Sequence, residues 1–217
     1  MTVALAYHYP ASLADKYGPF RKRFDASIVK FPADYPYDLF IVDSEGLDIG
    51  SYISFAKTCT HDFLICAGAT VYAHRRGWLA HLMKAVEENG PGLYTATASL
   101  EGDPNGLNPP PNPHARSSFF GCDPKVLAAY PFEVKTREDC YRFEGKDRKF
   151  GRYCTPVRMV TWGGIYSLED CRKPDNVFRK GSQQDLLVWD GRCDEYRNAN
   201  PPEKQRLTNL ADGSCMP

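Results

Sequence analysis

Short apolar runs alternate with helix-spaced segments through the first half of the chain. Runs without polar interruption predict strands that are buried on both faces. These strands are predicted at residues 3–7, 37–43, 62–66 and 93–98. Between them, apolar residues recur at helical spacing, which predicts helices over 15–30, over 49–59 and from Trp78 to the glycines at 90–92. Strands that alternate with helices indicate a mostly parallel sheet.

The second half is less regular and indicates a mixed sheet. Strands are predicted at 114–122, 157–162 and 186–190, and helices begin at 124, at 136 and at 202. Residues 101–113 carry five prolines and no periodicity. A loop of this length within a domain is usually functional or mobile. The spacing shows no internal repeat and no linker, so a single domain over 1–217 is expected.

Composition excludes several classes of protein. The 217 residues are 42% hydrophobic and 25% charged, which is typical of a globular domain. Lys and Arg number 27, as do Asp and Glu, so no net field favours nucleic acid. No apolar run is long enough for a membrane span, and the first residues do not resemble a signal peptide. A cytoplasmic protein is therefore expected.

The eight cysteines do not form a recognisable metal or disulfide framework. No pair has C-x-x-C spacing, and several lie within apolar runs, where a thiol behaves as a small hydrophobic group. Reduced, mostly buried cysteines are expected in a cytoplasmic chain. A Cys/His metal protein is the weakest of the functional hypotheses.

The segment from 62 to 83 carries the strongest functional signal. The strand at 62–66 runs into Gly68, Ala69 and Thr70, whose small side chains allow a ligand to approach the backbone. Ligands of α/β sheets bind at such strand ends. No G-x-G-x-x-G follows the first strand and no G-x-x-x-x-G-K-[ST] occurs, so neither phosphate-binding fingerprint is present.

Five stretches together resemble the GT-A glycosyltransferases, especially the inverting, family-2-like group. They are the first strand at 3–7, YDLFIVDSE, DFLICAGATVY with GWLAHL, TRED, and the late run NVFRKGSQQDLLVWDGRCDEY. The resemblance implies an α/β fold of the GT-A type, with a mostly parallel, mixed central sheet flanked by helices. Residues 1–100 would bind a nucleotide-sugar, and residues 101–217 would form the acceptor side and the tail.

The resemblance also implies an activity and a set of site residues. The activity is transfer of a sugar from a nucleotide-sugar to a glycan or other acceptor hydroxyl, with inversion. Asp43 would contact the base or ribose, and Asp139 or Glu138 would deprotonate the acceptor. The loop 101–113 would close over the ligands. The acceptor-side candidates are His114, Trp162, Gly163 and Gly164.

The chain departs from this family where a metal is usually held. The family carries Asp-x-Asp after the central strand, whereas this chain has Gly68-Ala69-Thr70. Without carboxylates there, the sequence does not support a Mg²⁺ or Mn²⁺ site. Fixed cations can stabilise a leaving diphosphate instead of a metal. The candidates are Arg75, Arg76, Arg179 and Lys180.

Alternatives remain open for each of these assignments. The basic pairs can be solvated surface charges. The T-x-x-D pattern of Thr136 and Asp139 is also a capping box, so Asp139 can serve a helix end. Trp162 can be a core residue. For the whole chain, the alternative to an enzyme is an inactive GT-A-like domain that binds a glycan or a protein.

Overall fold

A mixed sheet of seven strands organises the computed structural model, which describes residues 1–43, 47–145, 148–171 and 178–215. In chain order the strands are β1 (Val3–His8), β2 (Asp38–Val42), β3 (Phe63–Ala67), β4 (Tyr72–Ala73), β5 (Leu93–Thr95), β6 (Ala98–Ser99), β7 (His114–Ala115), β8 (Phe119–Cys122), β9 (Val157–Thr161), β10 (Gly164–Ser167) and β11 (Val188–Trp189). The α-helices are α1 (Ala14–Lys30), α2 (Leu47–Ala56), α3 (Trp78–Asn89), α4 (Pro124–Ala128), α5 (Arg137–Glu144), α6 (Gly191–Asn198) and α7 (Pro201–Ala211).

The strand directions confirm the predicted mostly parallel, mixed sheet. Its order is β10-β9-β5-β8-β3-β1-β2. β1 is parallel to both β2 and β3, and β5 is parallel to β9. β8 lies antiparallel between β3 and β5, and β10 is antiparallel to β9. Five strands therefore point one way and two point the other, which gives the α/β class expected from the sequence.

β1 shows why the first half folds as a buried strand with helices on both faces. Val3, Leu5 and Tyr7 belong to one core cluster, together with side chains of α1 and α3. Ala4 and Ala6 belong to a second cluster, with side chains of α2, α4 and α5. Successive side chains of a strand point to opposite faces. The apolar run of β1 is therefore uninterrupted because helices cover both faces of the strand.

Two predicted strands are each divided in the structure, so the predictions of single strands at 93–98 and 114–122 were wrong. The first becomes β5 and β6, and the second becomes β7 and β8, with β6 and β7 paired outside the main sheet. The chain turns at Thr95, whose hydroxyl donates to the backbone oxygens of Thr97 at 2.7 Å and Phe119 at 3.0 Å. Residues 116–118 lie between β7 and β8 and belong to neither strand.

Three elements have little signal in the sequence. β4 is a two-residue strand that pairs with β11, which lies within the strand predicted at 186–190, and β10 follows a tight turn after β9. α6 is polar throughout, with Cys193 as its one buried residue. It begins because the Asp190 carboxylate accepts hydrogen bonds from the backbone nitrogens of Arg192 and Cys193. Capping rather than hydrophobic periodicity therefore defines this helix.

Two global properties bear on the sequence predictions. No helix in the described part of the chain is both long and apolar enough to cross a membrane. All eight cysteines are free thiols.

Gly121→Ala should destabilise the protein. A Cβ at Gly121 would lie 2.5 Å from the Phe63 ring and 3.2 Å from the Leu64 oxygen, in the middle of the sheet. Overpacking of this kind costs about 1–3 kcal/mol. Urea unfolding measures the change. Gly163→Ala is the matched control, because its Cβ would meet no atom closer than 3.8 Å. Equal stability of the two variants would contradict the close approach of Phe63 to β8.

Candidate functional site

A cleft of about 920 Å³ opens at the carboxyl ends of β1, β2 and β3. The amino end of β8 meets the same edge because β8 runs antiparallel to β3. Both halves of the chain contribute to the wall. The polar and small residues that line it are His8, Ser12, Lys16, Tyr17, Asp43, Asp48, Gly68, Ala69, Thr70, Glu101, Gly102, Asp103, Asn108, Asn112, His114, Arg116, Ser117, Ser118, Arg137, Tyr141, Glu144, Arg179, Asp190, Arg192, Glu195 and Arg206.

The turn after β3 lies at the cleft as the sequence predicts. The Tyr7 hydroxyl donates to the Ala69 oxygen at 2.6 Å, and the Gly68 nitrogen donates to the Ser118 oxygen at 2.8 Å. The Thr70 hydroxyl accepts a hydrogen bond from the Gly191 nitrogen at 3.2 Å. Three parts of the chain therefore hold the small-residue turn in place: β1, the segment before β8, and the start of α6.

Asp43 joins two of the loops that border the cleft. It follows β2 directly, and its carboxylate accepts a hydrogen bond from the Ala11 nitrogen at 2.8 Å. Ala11 opens the short 3₁₀ helix that leads into α1. Asp43 therefore orders the β1–α1 connection at the position where the resemblance expects a contact with the nucleoside.

His8 and Asp48 lie beside Asp43 and were not singled out by the sequence. His8 ends β1 and is 8% exposed, while Asp48 stands in the first turn of α2. Burial lowers the pKa of His8, although the Asp48 and Asp43 carboxylates act in the opposite direction. Burial raises the pKa of Asp48, which His8 partly offsets. The strand-end position was the signal available for His8.

α5 borders the cleft through one of its faces. Arg137, Tyr141 and Glu144 line the wall. They are spaced i, i+4 and i+7, which places them on one side of a helix. Glu144 accepts a hydrogen bond from the Ser117 nitrogen at 2.7 Å, which ties this face to the segment before β8. A helical projection starting from Arg137 would have found this face.

The predicted base residues lie on the other faces of the same helix, and neither is part of the described cleft wall. Glu138 forms an exposed ion pair with Arg142 at 3.0 Å. Asp139 completes a capping box with Thr136. One of its oxygens accepts from the Thr136 hydroxyl at 2.8 Å, the Thr136 nitrogen at 3.0 Å and the Lys135 nitrogen at 3.2 Å. The Thr136 hydroxyl is the largest cause of its lowered pKa.

The predicted phosphate-binding cations separate into two groups. Arg75 packs over the Trp162 ring at 4.1 Å, and Arg76 forms an exposed ion pair with Asp34 at 2.8 Å. Neither these two nor Lys180 belongs to the described cleft wall. Arg179 does line the cleft, but it is 3% exposed. Its guanidinium holds Glu101 and Glu195, so its charge is already compensated.

Of the four acceptor-side candidates, one lies at the cleft and three lie elsewhere. His114 lines the cleft, and its Nδ1 lies 2.7 Å from the Asn112 oxygen, which leaves Nε2 as the other polar atom of the ring. Trp162 and Gly163 form the turn between β9 and β10, and Gly164 begins β10. These three lie outside the described cleft wall. The His81 ring packs on Trp162, with centroids 4.6 Å apart.

A buried ion pair that the sequence did not indicate closes the far wall. Arg116 donates to Asp190 at 2.9 Å, and both side chains are nearly enclosed. Burial alone would raise the pKa of Asp190, but Arg116 and the α6 amides outweigh it, so the pKa is lowered. The guanidinium also lies 4.0 Å from the centre of the Phe178 ring. This pair fixes the start of α6 against the sheet edge.

Two other cations of the cleft wall, Lys16 and Arg137, form no ion pair among the described residues, although the charge of Arg137 acts on the Asp48 carboxylate. Lys16 lies over the Tyr17 ring at 5.1 Å, near the start of α1. In the same described part of the chain, no three His, Cys, Asp or Glu side chains are grouped as a metal site. The positive charge available to an anionic ligand is therefore that of Lys16 and Arg137.

No protein-family model matches the chain, and no curated protein matches its sequence. Among solved structures, HddC from Yersinia pseudotuberculosis is similar over 65% of this chain and 61% of its own, with 16% identity and a TM-score of 0.32. HddC complexed with GMP-PN is similar over 80% of this chain and 97% of its own, with 13% identity and a TM-score of 0.36.

A third similar structure is a glycosyltransferase involved in the glycosylation of the major capsid of PBCV-1. The similarity covers 58% of this chain and 62% of that one, with 8% identity and a TM-score of 0.36. The chain therefore spans less than two thirds of the first and third of these structures. Because the identities and scores are low, the chemistry of the cleft rests on its own residues.

Asp139→Ala should destabilise the protein by about 0.5–2 kcal/mol, because the change removes the carboxylate that completes a helix cap. Asp139→Asn should retain most of the capping hydrogen bonds. The advantage of the wild type over Asp139→Asn should be present near neutral pH. It should disappear as the pH falls through the lowered pKa of Asp139, where the ionised form is lost. Denaturant unfolding across this pH range measures both effects, and unchanged stability of Asp139→Ala would contradict the cap.

Proposed function

We propose that this protein transfers a sugar from a nucleotide-sugar to an acceptor hydroxyl, with inversion at the anomeric carbon. The observation that carries the proposal is the 920 Å³ cleft at the carboxyl ends of β1, β2 and β3. Its volume suits a ligand with several groups, and its edge of the sheet is where open α/β sheets bind nucleotides. Both halves of the chain meet there, as a donor and an acceptor require.

The nucleoside end of the donor is assigned to the edge formed by β1 and β2. Asp43 lines the cleft there, and one of its oxygens accepts a hydrogen bond from the Ala11 nitrogen. A carboxylate can accept hydrogen bonds through both of its oxygens. The remaining capacity of Asp43 is available to a ribose hydroxyl or a base N–H.

The diphosphate is assigned to the turn of Gly68, Ala69 and Thr70, between Lys16 and Arg137. The turn carries no carboxylate, so it offers no hard-oxygen cage for Mg²⁺ or Mn²⁺. Lys16 and Arg137 supply positive charge and form no ion pair in the described residues. Cations aimed at a leaving diphosphate stabilise the charge that develops on it. The proposal is therefore a metal-independent transferase.

The acceptor is assigned to the wall formed by His114, Glu144 and the segment before β8. These residues come from the second half of the chain and line the same cleft as the small-residue turn. The base predicted from the sequence, Asp139, stays a candidate. In the present arrangement its carboxylate is committed to the α5 cap.

An inactive domain that binds a glycan or protein is the second candidate function, favoured by the missing carboxylate pair at Gly68-Ala69-Thr70. The two functions differ in turnover. An enzyme releases free nucleoside diphosphate when donor and acceptor are both present, whereas a binding domain does not. Release of the diphosphate across a broad donor and acceptor panel therefore separates them.

A nucleotide-sugar should raise the melting temperature of the protein, and the shift should persist in EDTA. A ligand that binds the folded state alone stabilises it by mass action. A thermal-shift panel of UDP-, GDP-, dTDP- and CMP-sugars, with and without Mn²⁺, measures the effect. A shift that collapses on chelation would contradict the metal-independent site. No shift with any of these donors would contradict nucleotide-sugar binding.

Arg137→Ala and Lys16→Ala should each weaken a nucleoside diphosphate about 10- to 100-fold, because a hydrogen bond to a charged group contributes about 1.5–3 kcal/mol. Binding of the free nucleoside should change little, since it has no phosphate. Titration calorimetry with both ligands measures the difference. Arg76→Ala is the matched comparison, because Arg76 belongs to the basic loop indicated by the sequence. If Arg76→Ala alone weakened nucleoside diphosphate binding to this extent, the diphosphate would have to be assigned to that loop instead.

A further inference from the structure

One histidine of the cleft wall has a ring that is fixed by the backbone. His114 begins β7, lines the cleft and is 7% exposed. Its Nδ1 lies 2.7 Å from the backbone oxygen of Asn112. A carbonyl oxygen can only accept a hydrogen bond, so the neutral ring carries its proton on Nδ1 and the lone pair on Nε2. The hydrogen bond therefore selects the tautomer in which Nε2 can act as a base.

A second contact at Nδ1 does not change this tautomer. The amide nitrogen of Asn112 lies 3.3 Å from Nδ1 and would donate to it if Nδ1 carried a lone pair. The contact with the carbonyl oxygen is shorter, and two lone pairs facing each other there would repel. Nε2 has no hydrogen-bond partner among the described residues. The atom of the ring that remains open is thus the basic one.

Several contacts hold His114 in place without a ligand. β7 pairs with β6, and the Asn112 nitrogen donates at 3.0 Å to the backbone oxygen of the residue that follows β6. The Lys149 ammonium donates to the backbone oxygen of Pro113, which stands between Asn112 and His114. A catalytic group that is positioned in advance costs no reorganisation when the reaction occurs.

An enclosed amide oxygen on the same wall indicates a place for a polar ligand. Asn112 lines the cleft and is 3% exposed, and its Oδ1 has no hydrogen-bond partner among the described residues. Buried polar atoms are usually paired, so an unpaired one at a cleft calls for a partner. Asn112 Oδ1 and His114 Nε2 are both acceptors of hydrogen bonds. A hydroxyl group is the kind of donor that such a wall would bind.

The chain from His114 leads directly to the turn assigned to the diphosphate. The backbone oxygen of Ser118 accepts a hydrogen bond from the Gly68 nitrogen at 2.8 Å. His114 precedes Ser118 by four residues, which span at most about 14 Å when fully extended. The histidine therefore lies on the acceptor side of the cleft and close to the donor turn.

The carboxylates of the described wall are less suited to accept a proton, because each already accepts a hydrogen bond or an ion pair. They are Asp43, Asp48, Glu101, Asp103, Glu144, Asp190 and Glu195. Hydrogen bonds to an ionised carboxylate favour that form and weaken it as a base. The hydrogen bond from His114 Nδ1 acts in the opposite direction, since it also favours the ring after Nε2 has taken a proton.

We propose that His114 is the catalytic base of the transfer, acting through Nε2. The inference rests on the proposed function of the cleft. His114 takes the proton of the acceptor hydroxyl as that oxygen forms a bond to the anomeric carbon. The bond between the anomeric carbon and the diphosphate oxygen breaks, and its electron pair leaves with the nucleoside diphosphate. The imidazolium then returns the proton to solvent, so no other reactant is needed.

The decisive experiment removes Nε2 and keeps the structural hydrogen bond. His114→Asn places an amide nitrogen where Nδ1 stood, so the bond to the Asn112 oxygen is retained. Its kcat should fall about 10²- to 10⁴-fold, while the donor-induced thermal shift remains. His81→Gln is the matched control and should keep the wild-type rate, because His81 also bonds a backbone oxygen, that of Thr161 at 3.0 Å, but lies outside the described cleft wall. Wild-type turnover by His114→Asn would overturn the proposal.

The same assay separates His114 from two competing bases. His8 is the other histidine of the described wall, and its ring packs edge-on to Tyr52 without a hydrogen bond in the described chain. Asp139 is the base implied by the family resemblance. Loss of turnover in His8→Gln or in Asp139→Asn, with the wild-type rate in His114→Asn, would move the role to that residue.

The pH dependence of turnover distinguishes proton transfer from a structural role. A general base must be unprotonated, so wild-type turnover should fall at low pH as the imidazole becomes protonated. The titratable groups that border a small hollow together with His114 are Glu144 and Lys149. Both remain in His114→Asn, so this variant should lose the limb that is due to the ring. An acid limb in His114→Asn identical to that of the wild type would refute the assignment.

The base assignment and the proposed function fail on different results. If no nucleotide-sugar shifts the melting temperature of the wild type, the proposed function is wrong, and the base assignment is wrong with it. If donors bind and are turned over but His114→Asn remains fully active, the base assignment alone is wrong. If donors bind and the wild type releases no diphosphate with any acceptor, the cleft is a binding site and His114 has no catalytic role.

Discussion

Burial of β1 on both faces is the constraint on which the cleft depends. Its side chains alternate between two core clusters, so helices must cover the sheet on each side. Parallel pairing with β2 and β3 then brings three carboxyl ends to one edge. His8 is the last residue of β1, and Asp43 and Gly68 directly follow β2 and β3. The three residues are distant in sequence but line the same cleft. The chemistry of the cleft is therefore a consequence of strand direction, which the helix connections between parallel strands impose.

The opposite wall is held by compensated charges. Arg116 and Asp190 form an enclosed ion pair, and Arg179 joins Glu101 to Glu195. Removing one partner of a buried pair leaves an uncompensated charge and costs about 3–5 kcal/mol. These arginines are consequently committed to the protein. Positive charge for a ligand must come from elsewhere, and Lys16 and Arg137 are the cleft cations that form no ion pair in the described chain.

Hydrophobic pattern predicted the first half well because both sheet faces there are covered and the signal is continuous. β1, β2, β3, α1 and α3 lie within two residues of their predicted bounds. The pattern failed where polar contacts decide the path of the chain. Thr95 turns one strand out of the sheet, and the Asp190 carboxylate starts α6, which has one buried residue. Neither the turn at Thr95 nor the start of α6 is marked by a hydrophobic periodicity in the sequence.

The candidate site, like the fold, could be predicted from the sequence only in part. The small-residue turn at Gly68 could be predicted because it depends on local sequence and on strand order. The sequence could not show which of the arginines lie at the cleft or which are already paired. Arg76 pairs with Asp34 and Arg179 with Glu195, and these partners are distant in sequence or set by the fold. A single helical projection of α5 would have separated the Arg137 face from Glu138.

The contrast between Asp139 and Asp48 reflects a general conflict between capping and proton transfer. A helix cap is strong when hydrogen bonds favour the ionised carboxylate, and the same hydrogen bonds lower its pKa. A general base needs the opposite, a carboxylate whose charge is poorly stabilised before the substrate arrives. Asp139 receives three hydrogen bonds on one oxygen, whereas Asp48 is half-buried and receives one in the described chain. A fold that needs both properties is therefore expected to place them on different side chains.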